Sequence, residues 1–363
     1  MKTSEWLDIS TVKFPSVSFS IALSGVALSM WGASWDITSH LLRTPETFFT
    51  PSHGVLYLGV GISISSAIMS LLLIAKRQTR KAPFVLGLKM IIFGALLQAI
   101  AGPGDYYWHE LFGIDGLLSP THLTLALGIM IVSIGSVIGF ARINSHLAKS
   151  NSFVNSILSI SIGVFWFSAM WLIFFFVLPI SEGDTHNFNP DPYVAIVLSF
   201  VALPFTFSMV FWSASKSLNI FGGASVSAFV FVVMNVTSNI VTSESLLIYL
   251  PWFAAPVIGA VIADWVLSKK IKSGMIQIHS EKLSGAILGS MFFMFCFPML
   301  SMTFLDLYLF NDVSPYDVLP TVSSAVFEIW MMTAVPGAVS GMLGMMFASR
   351  KMQVFCNCAK SEI

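Results

Sequence analysis

The chain has 363 residues, 56% of them apolar and only 10% charged, with 18 basic and 18 acidic side chains in balance. An ordinary soluble domain carries about 25% charged residues, and a mean hydropathy of +0.83 leaves too little polarity to cover a globular surface in water. Zero net charge argues against nucleic acid as a partner, and three cysteines (Cys296, Cys356 and Cys358) are too few for a disulfide framework.

A helix needs about 20 apolar residues to cross a bilayer. Ten charge-poor runs meet that length, at roughly 16–41, 53–75, 83–108, 119–141, 152–179, 192–214, 219–243, 246–267, 283–306 and 325–349. In lipid each backbone amide must be bonded within its own segment, and none of the runs alternates in polarity as a barrel strand would. The composition therefore predicts an all-α, polytopic transmembrane helical bundle of about ten spans, with the lipid bilayer as its first partner. The leader before span one contains Glu5 and Asp8, and the apolar run that follows is too long for a signal peptide, so span one is expected to stay as a helix. Of the 18 bases, all but Lys89 and Arg43 fall in the termini or in alternate loops. By the positive-inside rule this places both termini in the cytoplasm, in the cytoplasmic membrane. The opposite, extracytoplasmic, face collects His40, His53, His109, His122 and His186, leaving His146 and His279 inside.

Spans one to four contain an internal repeat. Asp36, His40 and His53 form an Asp-x3-His-x12-His pattern, and Asp105, His109 and His122 form the same pattern 69 residues later. Pro51 pairs with Pro120 and Gly59 with Gly128 at that offset. Each copy is two spans and a short outer loop, about 16–76 and 83–145. An even number of crossings makes the repeat parallel, with its pseudo-axis along the membrane normal. Asp and His at i and i+4 share a helix face, and the second His opens the next span after a proline tolerated at a helix start. A short hairpin then gathers one carboxylate and two imidazoles at the outer boundary. Ionisable groups at membrane depth are costly and usually functional. Two imidazoles and a carboxylate form a three-ligand set for a divalent first-row metal with open positions. Affinity favours copper, while geometry equally admits zinc or iron. The same residues also permit hydrogen-bonded Asp–His helix caps. On this reading residues 1–150 are a four-span metal-binding module and 151–363 a six-span helical region with no chemistry of its own that can be named.

With Phe49-Thr50-Pro51-Ser52-His53 following Asp36-x3-His40, the motif resembles the metal site in one membrane subunit of the membrane-bound, copper-containing particulate methane and ammonia monooxygenases. The resemblance covers windows 31–59 and 100–128, and the family carries the motif once where this chain carries it twice. It implies copper ligation by Asp36, His40 and His53, a second site at Asp105, His109 and His122, further membrane subunits as partners, and oxidation of a small substrate by a copper-dependent monooxygenase or a subunit of one.

Further along the chain, Glu182, Asp184 and His186 in the loop after span five offer a third metal site or a solvated acidic turn. Met291, Met294, Cys296, Met299 and Met302 in span nine, with Met342, Met345 and Met346 in span ten, suit either a copper(I) relay or flexible core packing. Cys356 and Cys358 could chelate copper(I) in the tail. Two other functions remain open: copper transport or homeostasis through the methionine-rich spans, and electron transfer by a haem held between histidines.

Overall fold

The structure, a computed structural model, describes residues 9–41, 50–113, 117–147, 151–178, 190–218, 220–268, 274–301 and 315–352. Among these there is no strand, and the fold is an all-α, polytopic bundle. The helices are α1 (Ile9–Leu41), α2 (Pro51–Ala75), α3 (Val85–Phe112), α4 (Pro120–His146), α5 (Ser152–Phe174), α6 (Pro192–Leu218), α7 (Gly223–Thr242), α8 (Leu250–Ser268), α9 (Gly274–Ser290), the single turn α10 (Phe292–Phe295) and α11 (Pro315–Phe347). Nine of the described helices, α1 to α8 and α11, are long and apolar enough to cross a membrane. Their outward faces carry large apolar side chains such as Ile68, Leu72, Leu111, Val197 and Val335. In water such a surface would drive association; in hydrocarbon it is the expected one. The chain is an integral membrane protein.

The ninth expected span, 283–306, departs from a single helix. α9 ends at Ser290, Met291 turns the chain into α10, and a second turn follows with a cis Phe297–Pro298 peptide. A broken helix frees carbonyls that lipid cannot satisfy. Here Asn235 of α7 supplies the donor: its Nδ2 donates to the carbonyls of Phe295 and Phe297 at 3.2 and 2.8 Å. Asn239, one turn on, donates to the Asn235 carbonyl at 2.7 Å. Apolar composition is the same for a broken and a continuous helix, so only Pro298 marks the interruption in the sequence.

At the core of the bundle, α5 buries Trp166, Phe167, Met170, Trp171 and Phe174 completely or nearly so. Trp166 stacks at 5.3–5.5 Å against Phe207 of α6, Phe231 of α7 and Phe295 of α10, so four elements meet on one indole. The start of α7 is capped from a distance. Asp264 of α8 accepts hydrogen bonds from the Gly222 and Ser225 amides and the Ser225 hydroxyl at 3.0, 3.1 and 2.9 Å.

Helices α1 to α4 form the frame of the site. α1 packs mainly on α2, and α3 on α4, while α2–α3 and α1–α4 contacts close the square. Both hairpins use one register. A Cβ on Gly59 would stand 2.6 Å from the Gly25 carbonyl, and one on Gly128 would stand 2.8 Å from the Gly94 carbonyl. These two crossings are 69 residues apart, and helices this close require small residues at the contact. Nearer the other boundary Ser18 bonds Ser66 and Ser70 in the first hairpin. Gly87, Gly135 and Gly139 hold the matching positions in the second. The repeat read from the motif is thus a repeat of helix packing as well.

The copies differ in what lies outside them. α1 is hydrogen-bonded to α7 along its last turns: Trp31 Nε1 to Thr237 Oγ1 at 2.8 Å, Ser34 to Ser238 at 2.8 Å, and Thr38 Oγ1 to Asn239 Oδ1 at 3.0 Å. In α3 the matching residues are Ile100, Pro103 and Tyr107, and all three are exposed. An indole and two hydroxyls have given way to an isoleucine, a proline and a tyrosine, residues suited to a lipid-facing surface.

Candidate metal centre

Both clusters sit at helix ends joined by a hairpin. Asp36 lies in the last turns of α1 and Asp105 in the last turns of α3. The partner histidines open α2 and α4, each two residues after a helix-starting proline, Pro51 or Pro120. In the second hairpin Ser119 caps α4, its hydroxyl accepting from the His122 amide at 3.2 Å, which fixes His122 on the first turn.

The second cluster is complete. His122 Nε2 lies 3.1 Å from Asp105 Oδ1, and His109 Nε2 lies 3.7 Å from Asp105 Oδ2. One donor atom from each residue falls within 4.8 Å of the other two. Ligands about 2.0–2.2 Å from a common ion stand roughly 3–4 Å apart, so the donor set fits a metal of that kind. All three residues are partly buried.

The ring of His109 is oriented by the helix end. Gly113, with φ of 72°, terminates α3 in a conformation that favours glycine. Its carbonyl lies 3.0 Å from His109 Nδ1. A carbonyl only accepts, so Nδ1 donates to it and Nε2 is turned toward Asp105. A ring nitrogen and a carboxylate oxygen facing each other across 3.7 Å can share a cation, a metal ion or a proton on the ring.

In the first cluster His53 Nε2 lies 3.1 Å from Asp36 Oδ2, and Thr50 Oγ1 lies 3.1 Å from His53 Nδ1. His40 belongs to α1, but its side chain lies outside the described residues, so Asp36 and His53 are the members the structure brings together. Asp36 is the more deeply buried of the two carboxylates.

Two side chains bonded to the clusters escaped the sequence reading although they stand inside its windows. The Ser52 hydroxyl donates to Asp36 Oδ1 at 2.7 Å, and the Thr121 hydroxyl donates to Asp105 Oδ1 at 2.8 Å. Their shared 69-residue offset and shared hydroxyl were the available signal. Such groups orient a ligating carboxylate and hold its free lone pairs. Tyr57 of α2 lies beside the first centre. Its ring centroid is 6.2 Å from that of His53. Ala126 takes its place in the second copy.

The remaining sequence candidates fall elsewhere. Glu182, Asp184, His186, Met302, Cys356 and Cys358 lie outside the described residues, and so does the side chain of His279. Cys296, Met299 and Met345 are part of the hydrophobic core, alongside Phe292, Phe293 and Phe297. The imidazoles of His109 and His122, with centroids 5.3 Å apart, converge on one carboxylate rather than facing across an open slot as axial haem ligands do. No protein-family model matches the chain, and no curated protein or solved structure matches it significantly.

Proposed function

We propose that this membrane protein binds a first-row transition metal, copper by its resemblance to the monooxygenase family, at two Asp/His/His centres on one membrane boundary. On this reading it serves as the metal-site component of an enzyme oxidising a small substrate, working with further membrane subunits. The observation that carries the proposal is the Asp105–His109–His122 cluster, in which one imidazole is committed through Nδ1 to a backbone carbonyl and turns Nε2 toward the carboxylate. Copper is favoured within the divalent series for such nitrogen and oxygen donors.

The chain's own residues have definable parts. Asp105 supplies charge to neutralise the cation and is held in place by Thr121. His109 and His122 approach from different helices, α3 and α4, so the centre fastens the hairpin. In the first copy Asp36, His53 and His40 take the same parts, with Ser52 in place of Thr121. When bound, copper supplies one-electron redox chemistry and open coordination positions to a small molecule at the membrane boundary.

The test is metal analysis of the full chain purified from copper-replete medium. We expect about two copper ions per chain, with His122→Ala and His53→Ala each removing about one and the double variant removing both, since each centre needs its three ligands. Copper-free wild-type protein would overturn the proposal, and equimolar zinc or iron in its place would reassign the metal.

A further inference from the structure

We infer that the chain holds one anionic phospholipid in a groove between α1, α2, α4 and α5, at the membrane boundary opposite the Asp/His clusters. The groove encloses about 540 Å³, within the range of about 300–1,000 Å³ typical of small-molecule sites. Its α1 wall runs from Val12 and Lys13 through Ser16 and Ser20 to Ser24. Val12 to Ser24 covers about 18 Å of helix, a little over half of a hydrocarbon core about 30 Å thick. Lys13 and Asp36 stand about 34 Å apart along the same helix, so the mouth of the groove and the metal clusters belong to opposite boundaries. The slot therefore has the depth of one leaflet, with its mouth at Lys13 and its floor near the middle of the membrane.

The chemistry of the lining changes along that depth. Lys13 places an exposed cation at the mouth, beside Asn151 at the start of α5. Ser16, Ser20 and Ser24 follow on one line of α1, and none of the three hydroxyls finds a hydrogen-bond partner among the described residues. Other serines of these helices, Ser65, Ser136 and Ser161, bond back to the preceding turn, whereas the buried hydroxyls of Ser63 and Ser133 do not. A hydroxyl turned toward hydrocarbon without an acceptor is costly. Ile62, Phe140, Val154 and Ile157 make the remaining walls apolar. A cation stands at the mouth, and a line of hydroxyls runs down one wall opposite apolar side chains, an amphipathic lining that suits a lipid with a phosphate at its head and an acyl chain below. An inorganic anion would leave the apolar walls unused, and a partner helix would leave Lys13 and the hydroxyls unmatched.

The second copy lacks the slot's chemistry. At the positions matching Ser20 and Ser24 it carries Lys89 and Phe93, both exposed. Duplication alone thus does not impose the hydroxyl line, and a phenylalanine at this register is compatible with the hairpin.

The experiment is native mass spectrometry of the full-length chain in mild detergent, with phosphatidylglycerol and phosphatidylcholine offered in equal amounts and melting temperature recorded for each variant. Wild type is expected to retain one phosphatidylglycerol per chain in preference to phosphatidylcholine. Ser24→Phe, which imports the residue of the second copy, fills the floor and is expected to lose both lipids. Lys13→Gln, at an exposed boundary position, is expected to lower the phosphatidylglycerol preference about fivefold, the factor for one cation at a lipid surface. The inference is overturned if wild type shows no headgroup preference, if Lys13→Gln keeps it, or if a folded Ser24→Phe retains lipid undiminished. Displacement of the lipid by inorganic phosphate, or a second copy of the chain in its place, would overturn it as well.

Discussion

Gly113 decides which nitrogen of His109 faces Asp105, and through that contact a turn residue with no side chain governs the donor set. Thr121 plays a comparable part from the other helix, and its hydroxyl can be removed without changing shape. Thr121→Val is expected to weaken metal binding about 10- to 100-fold, while Thr121→Ser retains most of it, as groups behind metal ligands generally do. Equilibrium metal titration of the two variants, alongside their helical content, checks this; equal affinity in both would remove Thr121 from the site. The ligand types and their spacing were legible in the sequence because Asp105 and His109 sit one turn apart on a single helix. The reach from Thr121 back to Asp105 was not legible, since it depends on how tightly the hairpin closes rather than on periodicity.

Close approach of α3 and α4 at Gly94 and Gly128 sets that closure. Gly128→Val would drive a branched side chain into the Gly94 carbonyl and the Gln98 backbone, at an overpacking cost of about 1–3 kcal/mol. A lower melting temperature together with lost metal at the Asp105 cluster is the expected result, and unchanged metal content would separate the crossing from the site. At the other end of the chain, Asn235→Leu would leave the carbonyls of Phe295 and Phe297 without their donor, for about 1–3 kcal/mol. Thermal unfolding should show that loss, and wild-type stability would mean that other groups satisfy the break. Helices α1 to α8 were legible from length and apolarity, but the interruption at Met291 was not, because α10 is as apolar as a continuous span. Asn235 is the side chain that bridges the interruption.

Across the whole molecule, the basic loops and the Asp/His clusters lie at opposite ends of the long helices, so one labelling experiment fixes their sidedness. With Gln78→Cys and Glu110→Cys as exposed reporters, in a background where the native cysteines are replaced, a membrane-impermeant thiol reagent applied to whole cells should modify position 110. Position 78 should react only after the membrane is opened, as the positive-inside rule requires. The opposite pattern would move the clusters to the cytoplasmic face. Parallel arrangement of the hairpins was legible from the even number of crossings in each copy; their unequal surroundings were not, because nothing along the chain says that α7 returns to α1.

That seam through Trp31, Ser34 and Thr38 gives the protein a built-in control. Damage to Asn239 should disturb the Asp36 centre while its twin, whose matching residues Ile100, Pro103 and Tyr107 are exposed, carries on. A lesion remote from both centres can therefore be assigned to one of them within a single molecule, with the untouched duplicate as the reference.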